Sequence, residues 1–111
     1  MTDEAGWVRV GSRTQLIERR RLICRVGKIS IVLFCSGAEV MALEDKCSHL
    51  GMPLHDGRII GGTIICPFHG ACFNLRTGEA ISGPAVSAVR TFSTLLDDQD
   101  VLLQLPPPVD S

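Results

Sequence analysis

Cys47-Ser48-His49 and, after sixteen intervening residues, Cys66-Pro67-Phe68-His69 are two pairs of one composition: one thiol and one imidazole each. A thiolate and a neutral ring nitrogen are both strong metal donors, and four of them close a site. Two chemistries take such a set. One is a tetrahedral structural zinc; the other is an iron–sulfur centre in which imidazoles replace two of the usual four thiolates. Zinc fingers usually pair Cys with Cys and His with His, whereas both pairs here are mixed. Mixed pairs favour iron.

Those donors must be carried by loops, and the rest of the chain reads as the β-sheet beneath them. Trp7 to Val10 alternates like a first strand. Leu22 to Val26 and Ile29 to Cys35 are β-branched runs joined at Gly27-Lys28, a hairpin signal. Val40 to Glu44 follows a Gly37-Ala38-Glu39 turn. Ile59-Ile60 and Thr63 to Ile65 flank Gly61-Gly62, a two-residue turn signal. Cys72 to Leu75 and Glu79 to Ile81 bracket Thr77-Gly78. Val89 to Thr94 and Val101 to Leu105 close around Asp97-Asp98-Gln99-Asp100. Only Thr14 to Arg20 offers a turn of helix. The expectation is an all-β, antiparallel sandwich or small barrel. Asp45 to Gly57 and Cys66 to Ala71 are loop excursions from it.

The 111 residues amount to one domain, expected over 1–105, with 106–111 (Pro106-Pro107-Pro108-Val109-Asp110-Ser111) an extended tail. Net charge is −1, so no basic excess argues for nucleic acid. The longest apolar run, Ile31 to Cys35, is far short of the roughly 20 residues that span a membrane, and Met1-Thr2-Asp3-Glu4 is unlike a signal peptide. A cytosolic protein is expected. Five cysteines in that setting read as metal ligands plus thiols. Cys24 and Cys35 read as small buried hydrophobes, and Cys72 is not needed to close the site. His55 reads as a solvated loop histidine. Arg19-Arg20-Arg21 reads as a solvated loop, with electrostatic steering of an acidic partner as the alternative.

The ligand spacing resembles that of the Rieske iron–sulfur family, and the resemblance extends past the ligands. Leu50-Gly51-Met52-Pro53-Leu54 and Gly57 match the family's first cluster loop, and His69-Gly70 its second. Phe73-Asn74-Leu75, Thr77-Gly78-Glu79 and Ser82-Gly83-Pro84-Ala85 match the family's segments beyond the second loop, the last being its proline loop. The similarity runs from about Trp7 to Leu105. It implies the Rieske fold, with two cluster-binding loops at one tip, and one [2Fe-2S] cluster per chain. Cys47 and Cys66 would hold the inner iron, and His49 and His69 the outer. Formal charge explains the consequence. Two ferric ions, two sulfides and two thiolates sum to zero, where four thiolates would give minus two. Such centres therefore run at roughly −150 to +300 mV, against about −400 mV for plant-type ferredoxins.

Departures from the family's branches narrow the reading. The respiratory and photosynthetic members tie the two loops by a disulfide; the matching positions here are Met52 and Phe68. Their serine and tyrosine donors to the cluster sulfurs are replaced by Ala71 and Phe73, and the chain has no tyrosine. Without those hydroxyls the expected potential lies at the low end of the Rieske range. A terminal oxygenase needs a second iron held by two histidines and a carboxylate, and only His55 is left over. No dinucleotide fingerprint occurs either. The resemblance thus points to a ferredoxin of aromatic-ring dioxygenase systems, a carrier between a flavoprotein reductase and a terminal oxygenase and not itself an enzyme. Docking is expected around His49 and His69, with Leu50, Met52, Pro53, Phe68 and Pro84 as an apolar rim. The alternative is a Rieske-fold small subunit of a larger, nitrite-reductase-like enzyme, with a structural or regulatory role.

Overall fold

The computed structural model describes residues 6–36, 39–47, 51–67, 70–82 and 87–104. In chain order they form β1 (Trp7–Ser12), α1 (Arg13–Arg19), β2 (Arg21–Val26), β3 (Ile29–Ser36), β4 (Glu39–Glu44), β5 (Arg58–Ile60) and β6 (Thr63–Ile65). Then come β7 (Cys72–Asn74), β8 (Ala80–Ser82), β9 (Thr91–Leu96) and β10 (Asp100–Gln104). The prolines of the tail and the expected boundary at 105 lie outside the described residues, as do Gly83 to Ala85 of the proline loop.

Two antiparallel sheets result, as the all-β reading expected. The larger runs β1-β10-β9-β4-β3-β2, the smaller β5-β6-β7-β8. The ends of the larger sheet nearly meet. At Gly11, where the β1–β10 register shifts, an added Cβ would lie 2.4 Å from Leu22 Cδ2. The missing side chain lets β1 and β2 close the barrel.

β3 explains how the layers stack. A strand turns successive side chains to opposite faces, and Ile31, Val32, Leu33 and Phe34 are all fully buried. Ile31 and Leu33 point into the barrel, packing with Leu16, Ala42, Phe92, Val101 and Leu103. Val32 and Phe34 face the smaller sheet, packing with Leu43, Leu54, Ile64, Phe73, Leu75, Cys47 and Cys66. Both faces of β3 are therefore core, which accounts for its continuous apolar run.

The short helix forms where sequence expected a helical turn. Ser12 caps it by accepting from the Gln15 N–H, and Arg20 ends it in the left-handed region at φ 66°, donating its N–H to Leu16 O at 2.8 Å. Leu16 plugs the barrel. One strand starts later than sequence suggested: β9 begins at Thr91, not Val89. The Val89 N–H bonds Gly78 O, and Arg90 O accepts from Glu44 N–H, both at 2.8 Å. The Arg90 carbonyl still follows the β4–β9 register, but the Val89 N–H turns to the loop at Gly78.

Candidate metal centre

Cys47 and Cys66 are 1% and 2% exposed and belong to one buried cluster between the sheets. Each opens a loop closed in the same way. Around Cys47, its N–H donates to Met52 O at 2.7 Å and its carbonyl accepts from Gly51 N–H at 2.8 Å. Around Cys66, its N–H donates to Ala71 O at 2.7 Å and its carbonyl accepts from Gly70 N–H at 3.1 Å. Gly51 (φ 72°) and Gly70 (φ 74°) occupy the same position in the two loops, and both sit where a side chain would be strained. The two pairs, alike in composition, thus sit in loops alike in backbone. His49 and His69, with Ser48, Leu50 and Phe68 beside them, lie outside the described residues.

The loops differ in what supports them. The second joins β6 to β7, which are paired directly below it through Ile65 and Cys72. The first leaves β4 in the larger sheet and returns to β5 in the smaller, so no ladder holds its base. Backbone bonds fix its ends, Asp45 N–H to Ser30 O and Gly57 N–H to Leu54 O, both at 2.8 Å, and side chains join the two limbs. The Asp45 carboxylate, 4% exposed, accepts from Leu54 N–H at 2.6 Å and from His55 Nδ1–H at 2.7 Å. Arg21 donates from one nitrogen, Nη1, to the carbonyls of His55 (2.5 Å) and Gly57 (3.1 Å). Its guanidinium lies 5.0 Å above the Phe34 ring centroid, a stacked cation–π contact. Gly57 then passes so close to β6 that a Cβ would sit 2.7 Å from Ile65 O.

Two readings are corrected here. His55 is not a solvated loop histidine: its side chain is 30% exposed and its ring is bound to a buried carboxylate. Nor is the arginine run a uniform solvated loop. Arg19 and Arg20 are exposed at the helix end, but Arg21 turns inward as the first residue of β2. Sequence reasoning missed Asp45 and Arg21. The available signal was an acid two residues before a candidate thiolate ligand, with His55 the histidine left over from the site.

The remaining cysteines are half-buried, and no disulfide joins any of the five. Cys24 and Cys35 pack against the barrel core, and burial pushes the Cys24 thiol above its ordinary range. Cys72 donates its S–H to Gly70 O at 3.4 Å. Of the expected apolar rim, Met52 is half-buried and Pro53 exposed; Leu50, Phe68 and Pro84 lie outside the described residues. Ala71 and Phe73 are fully buried, so neither position presents a hydroxyl.

Two shielded thiols at the mouths of matching loops fit an iron–sulfur cluster. Burial protects the sulfurs, and glycines leave backbone N–H groups free to approach them. Among the described residues no helix is long and apolar enough to cross a membrane.

Comparison with known proteins agrees. The model of the Rieske [2Fe-2S] domain matches residues 6–93. The ferredoxin subunit of 3-phenylpropionate/cinnamic acid dioxygenase from Escherichia coli (strain K12) is 35% identical over 77 residues, covering 68% of this chain and 73% of that one. Apoptosis-inducing factor 3 of Mus musculus is 34% identical over 74 residues, 67% of this chain but 12% of that much longer protein. Among solved structures, the ferredoxin of carbazole 1,9a-dioxygenase from Nocardioides aromaticivorans IC177 superposes with a TM-score of 0.81 at 28% identity, covering 88% of this chain and 96% of that one. The chain belongs to the Rieske [2Fe-2S] domain family, and its cofactor is one [2Fe-2S] cluster.

Proposed function

We propose that this chain is a one-electron carrier that accepts an electron from a flavoprotein reductase and delivers it to a terminal, ring-hydroxylating oxygenase. Cys47 and Cys66 would bind one iron through sulfur, and His49 and His69 the other through nitrogen. One observation carries the reading: the chain aligns with 96% of the ferredoxin of carbazole 1,9a-dioxygenase. A solved complex of a reduced oxygenase with an oxidised ferredoxin from carbazole 1,9a-dioxygenase, matched at 27% identity and a TM-score of 0.80, supports the partner class. The carrier converts no substrate itself and works in the cytoplasm.

Imidazole ligands facing a partner would offer it a short electron path, and of the expected apolar rim Pro53 is exposed and Met52 half-buried. Such carriers meet partners briefly through contacts of limited area. The buried Ala71 and Phe73, which lack hydroxyls, support a potential at the low end of the Rieske range. The second reading is a Rieske-fold small subunit of a larger, nitrite-reductase-like reductase with a structural or regulatory role.

An anaerobic mixing experiment separates the two. A dioxygenase-type flavoprotein reductase with reduced nicotinamide should bleach the visible absorption by one electron per chain, and added oxygenase should restore it within the turnover time. Reduction without re-oxidation by any such oxygenase would leave the carrier assignment without support and favour the larger assembly.

A further inference from the structure

We infer that Arg21, Asp45 and His55 are positioning residues that set the first cluster loop, and with it the potential and retention of the cluster. The inference rests on Cys47 being an iron ligand. It begins from an asymmetry. Both loops close on themselves by equivalent backbone bonds, yet only the second has its two limbs paired with each other in one β-ladder. From Glu44 to Arg58 the first loop bridges two sheets, and β4 and β5 are not paired with each other. A backbone excursion of that length keeps considerable conformational freedom unless other contacts remove it.

Backbone bonds anchor the loop's first residue, Asp45 N–H to Ser30 O at 2.8 Å, and turn its last, Gly57 N–H to Leu54 O at 2.8 Å; the three side chains supply the contacts between the two limbs. Asp45, two residues before Cys47, reaches across the base of the loop and uses both carboxylate oxygens, one on Leu54 and one on His55. Its side chain is 4% exposed, so losing a partner would leave buried charge unmatched. Arg21 comes from a third direction, the edge strand β2, and fastens the returning chain at residues 55 and 57. Its head is fixed in turn by Phe34, which lies in the same buried cluster as Cys47 and Cys66. Departing and returning limbs are therefore tied to each other and to the core. A thiolate held this way keeps its geometry, and its approach by backbone N–H groups, in both redox states. Outer contacts of this kind orient ligands and tune metal centres.

The test compares His55→Leu and Arg21→Met with His55→Asn in the cluster-loaded protein. Asparagine retains an N–H donor close to the position of Nδ1; leucine fills space without donating. Three quantities are read: the midpoint by voltammetry, the rate of absorbance loss under a chelator, and hydrogen exchange of the 45–57 and 63–74 peptides by mass spectrometry. The leucine and methionine variants should shift the reduction equilibrium by about threefold or more, roughly 28 mV at 59 mV per tenfold for one electron. They should also lose the cluster faster and exchange faster in 45–57 but not in 63–74. His55→Asn should stay close to the parent in all three. A midpoint unmoved in both variants overturns the inference, as does faster exchange spread equally over both peptides. If one variant does not fold, the other decides by the same criteria. A parent protein that binds no iron or sulfide refutes the ligand assignment, and the inference falls with it; a loaded parent with indifferent variants refutes the inference alone.

Discussion

Phe73→Tyr adds a single hydroxyl to a fully buried ring in β7, where high-potential members of the family carry a donor to the cluster. Two energies compete. If the new O–H reaches a cluster sulfur, it stabilises the more negative, reduced state. A hydrogen bond to a charged group contributes about 1.5–3 kcal/mol, which at about 1.4 kcal/mol and 59 mV per tenfold is roughly 60–130 mV for one electron. If it reaches no acceptor, the buried hydroxyl costs about 1–3 kcal/mol of stability and leaves the potential alone. The surroundings sharpen the choice. Phe73 belongs to a buried apolar cluster that also contains the thiols of Cys47 and Cys66. Voltammetry and urea unfolding of the loaded protein read the two outcomes. We expect the midpoint to rise by several tens of millivolts, up to roughly 130 mV, with stability retained. An unchanged midpoint with a lower unfolding midpoint would refute the placement of Phe73 beside the cluster.

Gly57→Ala forces a Cβ to within 2.7 Å of the Ile65 carbonyl, separating the first loop from the strand that leads to Cys66; a loss of about 1–3 kcal/mol and faster cluster release are expected, measured by denaturant titration and absorbance decay. Gly78→Ala combines φ +76° with a Cβ 2.0 Å from Val89 O, so it should destabilise at least as much, read by the same titration. Asp97 accepts from the Gln99 and Asp100 amides, with Arg13 and Arg9 nearby, and these hold its carboxyl below the usual range. Its stabilising effect is therefore present above the unfolded value and lost as pH falls through the lower folded one. Between about pH 5 and pH 2, unfolding stability should fall more steeply in the parent than in Asp97→Asn; parallel curves would contradict this. Glu39→Gln breaks an exposed ion pair with Arg76 and should change stability by less than about 1 kcal/mol.

Local signals were enough for the sheets. Alternation and turn residues set β2, β3, β5, β6 and β10 to within a residue or so, because a strand face and a tight turn are properties of neighbouring positions. The candidate thiols were equally legible by type and spacing, and both prove buried at the start of loops with matching backbone bonds. What sequence could not show is the support of the first loop. Asp45 and His55 are ten positions apart, and Arg21 reaches a carbonyl thirty-four positions away. Contacts set by how two sheets stack leave no periodic trace. The late start of β9 has a similar origin: Val89 reads as strand, but its N–H is committed to Gly78 in another loop. The arginine run misled because charge reads as solvation until an aromatic face and two carbonyls are found beneath it.

The most direct trial of the whole account is iron and acid-labile sulfide analysis of the purified protein, combined with electron paramagnetic resonance before and after one-electron reduction. About two irons and two sulfides per chain are expected, with a paramagnetic signal only after reduction and an altered signal and midpoint in His49→Cys. Stoichiometric zinc without sulfide, or a His49→Cys protein with the parent's spectrum and potential, would contradict the assignment of mixed thiolate and imidazole ligation.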